Sequence, residues 1–335
     1  MSTTNQQWRL ASRPTGEPTA DDFELVEVPV PDPGPGEVLV RTRYFSVDPY
    51  MRGRMRDDWA VGEPMQARSV GEVVESNHAE LVSGDLVYGT LDWARYTAID
   101  GDELEPIDPD RAPITTRLGV LGMTGLTAYF GLLEVGQPKP GDTVVVSAAA
   151  GAVGSVVGQL ARLGGCRVVG ITGAEEKAAW LTDDLGFDTA INYRTTTDLP
   201  TAIEDACPRG VDVYFENVGG EISDAVLDQL NRYSRVAVCG KIALYNREDA
   251  PGEQPTGPRR MYQRTRTRVE GFIVSDFAHR FEDARERLGR WVRNDDIRYR
   301  ETITEGLDNA DEAFLGLFEG VNIGKQLVKV PDTSA

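Results

Sequence analysis

The sequence predicts a two-domain α/β protein in which a small β-barrel precedes a doubly wound parallel sheet. Three observations carry this prediction. From Thr143 to Gly165 a short β-branched run, a tight Ala/Gly turn and a helix with one apolar stripe follow one another directly. Strands and helices then alternate as far as Val274, the pattern of βαβ units. Residues 8–110 instead hold short alternating runs separated by Pro, Gly and Asp turns, the pattern of an all-β domain. A chain of 335 residues also exceeds what one core usually serves.

In the first domain residues 8–11, 23–28, 38–46, 69–76, 85–88 and 93–99 read as strands. Val38, Val40, Thr42, Tyr44 and Ser46 alternate with Leu39, Arg41, Arg43, Phe45 and Val47, the period of two that a strand requires. Residues 29–36, rich in Pro and Gly, form a turn between strands. Residues 118–133 are helical in composition, with Gly125 where a neighbour can approach closely.

The run Thr143–Ser147 suits a buried parallel strand. Val153, Val156, Val157, Leu160 and Ala161 then mark a helix ending near Gly164 and Gly165. In the turn between, Ala149, Gly151 and Gly154 take the three positions of the G-x-G-x-x-G fingerprint, and Ala152 and Val153 complete the loop. Such a turn lets the backbone approach a pyrophosphate and aims the first helical N–H groups at it. A second strand, Arg167–Thr172, follows as the motif demands.

That strand ends in Thr172 and Gly173, where an NAD site carries an acid for the ribose hydroxyls. Lys177 and the pair Tyr193-Arg194 supply cations and a hydroxyl for a 2′-phosphate instead, which favours NADPH over NADH. Residues 143–161 carry no charge and are long enough to span a bilayer. Their Gly, Ser and Gln content and the strand-to-helix switch argue for the soluble reading, with no membrane partner.

Strand 211–215, helix 221–231 and strand 235–240 continue the sheet, whose ligands belong beyond the carboxyl ends of the strands. Asn217 lies at one such end; Cys239 and Gly240 lie at another. Residues 245–260 read as a long loop, followed by a concentration of Arg259, Arg260, Arg264, Arg266 and Arg268 on a solvated helix and strand edge. Residues 269–274 read as the last strand of this sheet and 278–293 as an amphipathic helix. Residues 297–303, a helix near 307–318 and the strand 326–330 finish the chain, and the last two are expected to return to the first domain. The expected division is 1–118 with 300–335, and 119–299.

Net charge is −19, and 30 of the 35 basic residues are Arg. Nucleic acid is thereby disfavoured as a partner, and the balance points to a protein kept soluble in high salt, a halophilic source, with a merely acidic bacterial enzyme as the alternative. Residues 1–7 are polar with no apolar stretch behind them, so no signal peptide is expected and the location is read as cytoplasmic. Cys166, Cys207 and Cys239 are far apart and offer no zinc cluster.

Four segments resemble the zinc-independent medium-chain dehydrogenases/reductases, in the branch of prostaglandin, alkenal and curcumin double-bond reductases. They are SVDPYMRGRM from Ser46, GMTGLTAYFGLLEVGQPKPGDTVVVSAAAGAVGS from Gly122, YFENVGG from Tyr214 and NIGKQLVKV from Asn322. The resemblance implies a GroES-like β-barrel plus a Rossmann doubly wound domain, the site in the cleft between them, and a homodimer joined through the last Rossmann strand. Zinc enzymes of the wider family place a Cys and a Gly-His-Glu where this chain has Phe45-Ser46-Val47-Asp48 and Ser69-Val70-Gly71-Glu72, so no metal is expected.

By the same resemblance NADPH transfers a hydride to the β-carbon of an α,β-unsaturated ketone or aldehyde, and hydrogen-bond donors stabilise the enolate. Tyr245 is the implied donor; the ribose hydroxyl or water is the alternative proton source, with Tyr245 then a loop aromatic. Tyr50 and Met51 resemble the family's substrate-pocket residues, with Tyr262 joining them. Asn322 would bond the nicotinamide amide, Met123, Thr127 and Asn217 would line the cofactor, and Phe272, Ile273 and Val274 would lie along the nicotinamide side. Two other functions stay open: an NADPH-dependent quinone oxidoreductase, and a non-catalytic NADPH-binding protein.

Overall fold

A computed structural model describes residues 4–247 and 259–331. The chain forms two compact units, Met1–Gly119 with Glu301–Ala335, and Val120–Arg300. The first opens with an antiparallel ribbon of β1 (Thr4–Leu10) and β2 (Phe23–Pro29). There follow β3 (Glu37–Ser46), helix α1 (Met51–Asp57), β4 (Gln66–Ser76), β5 (Leu86–Asp92), β6 (Tyr96–Asp100) and β7 (Glu105–Pro106). Strand β3 is central, pairing antiparallel with β4 and β6.

The register of β3 slips at two places, between Leu39 and Val40 and between Thr42 and Tyr44. Because side chains alternate faces, a slip of one residue reassigns which face is buried. Val38 and Val40 accordingly join one apolar cluster with Val73 and Leu91, whereas Phe45 and Val47 join another with Trp93 and Phe314. Helix α1 has no counterpart in the strand-only reading of residues 8–110. Its signal is Met51 and Met55, four residues apart and both fully buried. Its last turn is closed from a distance: the Arg13 guanidinium donates to the carbonyls of Met55 and Trp59 at 2.8 Å and of Arg56 at 2.5 Å.

The second unit begins with α2 (Met123–Phe130), continued by a π-helical turn, Gly131–Gly136. Next come β8 (Thr143–Ser147), α3 (Gly154–Leu163), β9 (Arg167–Thr172), α4 (Glu175–Ala179), β10 (Thr189–Asn192) and α5 (Leu199–Ala206). The second half is β11 (Val211–Glu216), α6 (Gly220–Leu227), β12 (Leu230–Val238), α7 (Arg259–Thr265), β13 (Arg268–Gly271) and α8 (Phe281–Arg293). The six strands are parallel in the order β10-β9-β8-β11-β12-β13, which puts the topological switch point between β8 and β11.

Several boundaries differ from the expected ones for local reasons. The helix expected to 231 stops at Leu227, because Leu230 already pairs with Val211 and an irregularity takes up the slack before Val213 meets Arg235. The strand expected over 235–240 ends at Val238, leaving Cys239 and Gly240 just past its carboxyl end. The strand expected over 269–274 is only Arg268–Gly271; beyond it the Phe272 ring turns inward on Phe215, 6.3 Å between centroids, and a 3-10 helix runs Val274–Arg280. Of the expected loop 245–260, residues 248–258 lie outside the described residues, and Arg259 already begins α7. Among the described residues no helix is long and apolar enough to cross a membrane; the uncharged stretch 143–161 is β8, its turn and α3.

The chain finishes with β14 (Glu301–Glu305), α9 (Ala310–Glu319) and β15 (Lys325–Lys329), all in the first unit. Strand β15 pairs parallel with β14 and antiparallel with β3, from Leu327 opposite Ser46 to Lys329 opposite Tyr44. Helix α9 seals the core: Phe314 meets Phe23 and Trp93 edge-on at 6.0 and 6.1 Å, and Trp8 Nε1 donates to the Leu307 carbonyl at 2.7 Å.

Candidate functional site

Strand β8 is buried along its whole length, and the chain reverses immediately after it. The reversal falls on Ala148, whose φ of 48° is left-handed. A Cβ on Gly154 would stand 2.5 Å from the Ala148 carbonyl and 2.8 Å from the Ala149 Cα, and one on Gly151 would stand 3.2 Å from the same carbonyl. Glycine is therefore required where α3 starts. Ala149, Gly151, Ala152, Val153 and Gly154 form one tight turn that leads the backbone into the amino end of a ten-residue helix.

At the end of β9 a second cluster assembles. A Cβ on Gly173 would touch the Tyr193 ring and hydroxyl at 3.0 Å, and the Arg194 guanidinium lies 5.9 Å from the centre of that ring. Lys177 sits close by: burial first, then the Arg194 guanidinium, holds its ammonium below the usual range, with Glu176 opposing. On α4, Glu175 accepts from Asn192 Nδ2 at 2.7 Å and from Thr195 Oγ1 at 3.0 Å.

The third cluster lies at the switch point. Asn217 N–H bonds Ser147 Oγ at 2.9 Å and Asn217 Nδ2 donates to the Ser147 carbonyl at 2.7 Å. Glu216 Oε1 accepts from Ser147 Oγ at 3.2 Å and from the N–H groups of Val218 and Gly219 at 2.8 and 2.9 Å. Cys239 and Gly240 both donate their N–H to the Glu216 carbonyl, at 2.9 and 3.0 Å. A Cβ on Gly240 would stand 3.4 Å from the Tyr245 hydroxyl, so that hydroxyl rests over the strand end beside Asn217. Burial pushes the Tyr245 phenol above its ordinary value, opposed by a hydrogen bond with the Lys241 backbone. Burial likewise pushes the Cys239 thiol up to about 12, so it stays protonated.

The other predicted residues of this unit make local contacts. Thr127 Oγ1 donates to the Met123 carbonyl within α2 at 2.7 Å. Phe272 packs on Gly131 and Phe215, Ile273 is 68 % exposed, and Val274 opens a 3-10 helix, so these three do not share one strand face. Tyr262 packs, partly buried, against the cluster of Tyr214 and Val226.

In the first unit, Tyr50 precedes α1 and is 47 % exposed, while burial of its hydroxyl end and the Asp48 carboxylate push its phenol above the ordinary value. Met51 is fully buried in the core with Phe45 and Trp93, so its side chain packs where the sequence reading placed it against substrate. Asn322 Nδ2 donates to the Gly324 carbonyl at 2.8 Å. Glu72 binds the guanidinium groups of Arg41 and Arg43 at 2.9 and 2.5 Å. Among the described residues no group of three or more His, Cys, Asp or Glu is arranged to hold a metal.

Residues 6–107 match the model of an N-terminal domain of oxidoreductase, and residues 152–290 that of zinc-binding dehydrogenase. The chain is 51 % identical to a putative NADP-dependent oxidoreductase, YfmJ, of Bacillus subtilis (strain 168), over 100 % of both chains. It is 45 % identical to the NADPH-dependent curcumin reductase of Escherichia coli (strain K12), over 97 % of both. The chain belongs to the zinc-independent medium-chain dehydrogenases/reductases. Its fold superposes on CurA from Vibrio vulnificus in complex with NADPH with a TM-score of 0.90 and 42 % identity, covering 98 % of this chain and 100 % of that one.

For a medium-chain reductase, three features escape a motif search. The left-handed residue is Ala148, outside the fingerprint glycines, and an alanine carries no signal for positive φ. Ser147 and Glu216 close the switch point, and Glu216 is visible in sequence only as one letter of YFENVGG. The ion pair of Asp48 and Lys325, 2.7 Å apart, joins residues 277 positions apart. One clue to it exists: Lys325 is one of just five Lys in an Arg-rich chain.

Proposed function

We propose that this reductase uses NADPH to reduce the carbon–carbon double bond of α,β-unsaturated ketones and aldehydes. The observation that carries the cofactor choice is the cluster at the end of β9, where Gly173 abuts Tyr193, the Arg194 guanidinium lies 5.9 Å from that ring, and Glu175 is held by Asn192 and Thr195. The glycine turn suits a pyrophosphate: a Cβ at Gly154 would meet the Ala148 carbonyl at 2.5 Å, so glycine there lets the start of α3 close tightly on the turn. Ala149, Gly151, Ala152, Val153 and Gly154 hold the pyrophosphate; Gly173, Lys177, Tyr193 and Arg194 hold the 2′-phosphate; Asn217, Cys239 and Gly240 line the cofactor at the strand ends. Met123, Thr127 and Asn322 serve the nicotinamide side.

When bound, NADPH supplies a hydride to the β-carbon. The protein's part is to stabilise the negative charge that develops on the carbonyl oxygen. Tyr245 does so with a phenol that burial keeps protonated, and so able to donate, through the neutral range. Tyr50 provides substrate contact, its exposed ring offering an apolar face and its raised phenol a second protonated hydroxyl. The reading accords with the names of the relatives. It is tested by NADPH oxidation against a panel of enones, quinones and secondary alcohols: turnover of quinones or alcohols but not enones refutes it.

We further infer a cytoplasmic homodimer. The support is the edge strand β13, whose four residues are all exposed, as a strand awaiting a symmetry mate is. A sedimentation experiment that finds only monomer overturns this.

A further inference from the structure

Within the first unit, β15 and β3 pair only from Lys329 opposite Tyr44 to Leu327 opposite Ser46. Beyond that point no ladder bond holds the two chains together, yet Asn322 precedes one end and Tyr50 follows the other. The Lys325 side chain takes over there. It is 4 % exposed, and its Nζ donates to the Val47 carbonyl at 3.0 Å and to Asp48 Oδ1 at 2.7 Å, while Ser46 Oγ donates to the other Asp48 oxygen.

The turn before Lys325 is equally constrained. Ile323 N–H bonds Thr302 Oγ1 at 3.0 Å, the same hydroxyl donates to the Ile323 carbonyl at 2.9 Å, and Gly324 takes φ 70°. Rotation at Lys325 therefore reaches Asn322 through two fixed residues. On the neighbouring strand Glu301 stands opposite Lys325, with burial raising its carboxyl and the Lys325 ammonium opposing, but the direct ion pair of that ammonium, at 2.7 Å, is with Asp48.

Burying two charges is not an efficient route to stability, since a well-packed apolar pair of similar volume usually serves as well or better. What an ion pair adds is one orientation. We propose that Lys325 and Asp48 are positioning residues of the reductase, holding the Tyr50 segment and the Asn322 turn at one mutual spacing. The inference rests on the proposed contacts of Tyr50 with substrate and Asn322 with the nicotinamide amide. It accounts for a lysine at this position, because one compact ammonium meets both the Val47 carbonyl and the Asp48 carboxylate.

The test is a cycle of Lys325→Met, Asp48→Asn and the double variant, with Tyr50→Phe and Asn322→Ala as references. The double variant removes both charges of the Lys325–Asp48 pair together, and circular dichroism and a melting curve establish that it is folded before kcat is read. Expected for folded double variant is a kcat lowered tenfold or more, NADPH affinity within threefold of wild type because the phosphates are held by the other unit, and a loss no larger than that of either measurable single variant. A double variant with kcat within twofold of wild type, or losses that simply multiply, overturns the proposal. If the reference variants lower kcat and the double variant does not, only the positioning role fails. If the references themselves leave kcat within twofold, the assigned contacts fail and the positioning role falls with them.

Discussion

Asn217 Nδ2 donates to the Ser147 carbonyl across 2.7 Å and so ties the carboxyl ends of β8 and β11 at the point where the strand order reverses. The amide is therefore already committed to the protein, and what it offers a cofactor is its oxygen. Asn217→Ala leaves a carbonyl without its partner, a cost of about 1–2 kcal/mol. The expected result is a melting temperature several degrees lower together with weaker NADPH binding. An unchanged melting temperature would show that the bond contributes nothing.

Cofactor discrimination follows from the cluster of Lys177, Tyr193 and Arg194. NADPH is expected to bind at least tenfold more tightly than NADH, about 1.4 kcal/mol, and Lys177→Ala to erode that ratio. Titration of both nucleotides against both proteins measures it. Equal affinities in the wild type would remove the assignment of this corner.

Tyr245→Phe is expected to lower kcat and kcat/KM together, on the order of a hundredfold, with NADPH binding near wild type. Because the folded phenol is raised, its protonated form persists past the ordinary value near 10. The rate should thus stay level through neutral and mildly alkaline pH, falling only where the phenol ionises. Single-turnover hydride transfer at saturating NADPH decides the matter: a Phe variant within a few fold of wild type means that the ribose hydroxyl or water delivers the proton.

Salt should stabilise this chain. At a net charge of −19 its surface carboxylates repel one another, and molar salt screens that repulsion to within about 3 Å. The melting temperature is expected to be higher in molar NaCl or KCl than in dilute buffer. No rise would dispose of the halophile reading.

The phosphate turn was legible because its chemistry is local: strand, turn glycines and helix stripe occupy neighbouring positions. The two-domain α/β architecture was legible for the same reason, through its alternating periods. Register was not. The slips in β3 and the early start of β12 depend on partners far along the chain, as does the inward turn of Phe272 that ends β13 after Gly271. Met51 shows the opposite failure. A residue next to an exposed tyrosine reads as a pocket residue, whereas its partner four positions on, Met55, marks it as core.

The first unit is written in two instalments with the second inserted between them. Its aromatic core needs Phe314, its Trp8 indole needs Leu307, and the Tyr44–Ser46 end of its central strand β3 gains its second neighbour only from β15. During synthesis residues 4–119 must therefore wait, their strand edge open, while the entire parallel sheet is made and can fold behind them. A ribosome stalled before Leu307 would release a chain with one finished half and one that has nothing to close on. The last thirty or so residues thus supply the ring, the carbonyl and the strand that complete the first unit's core.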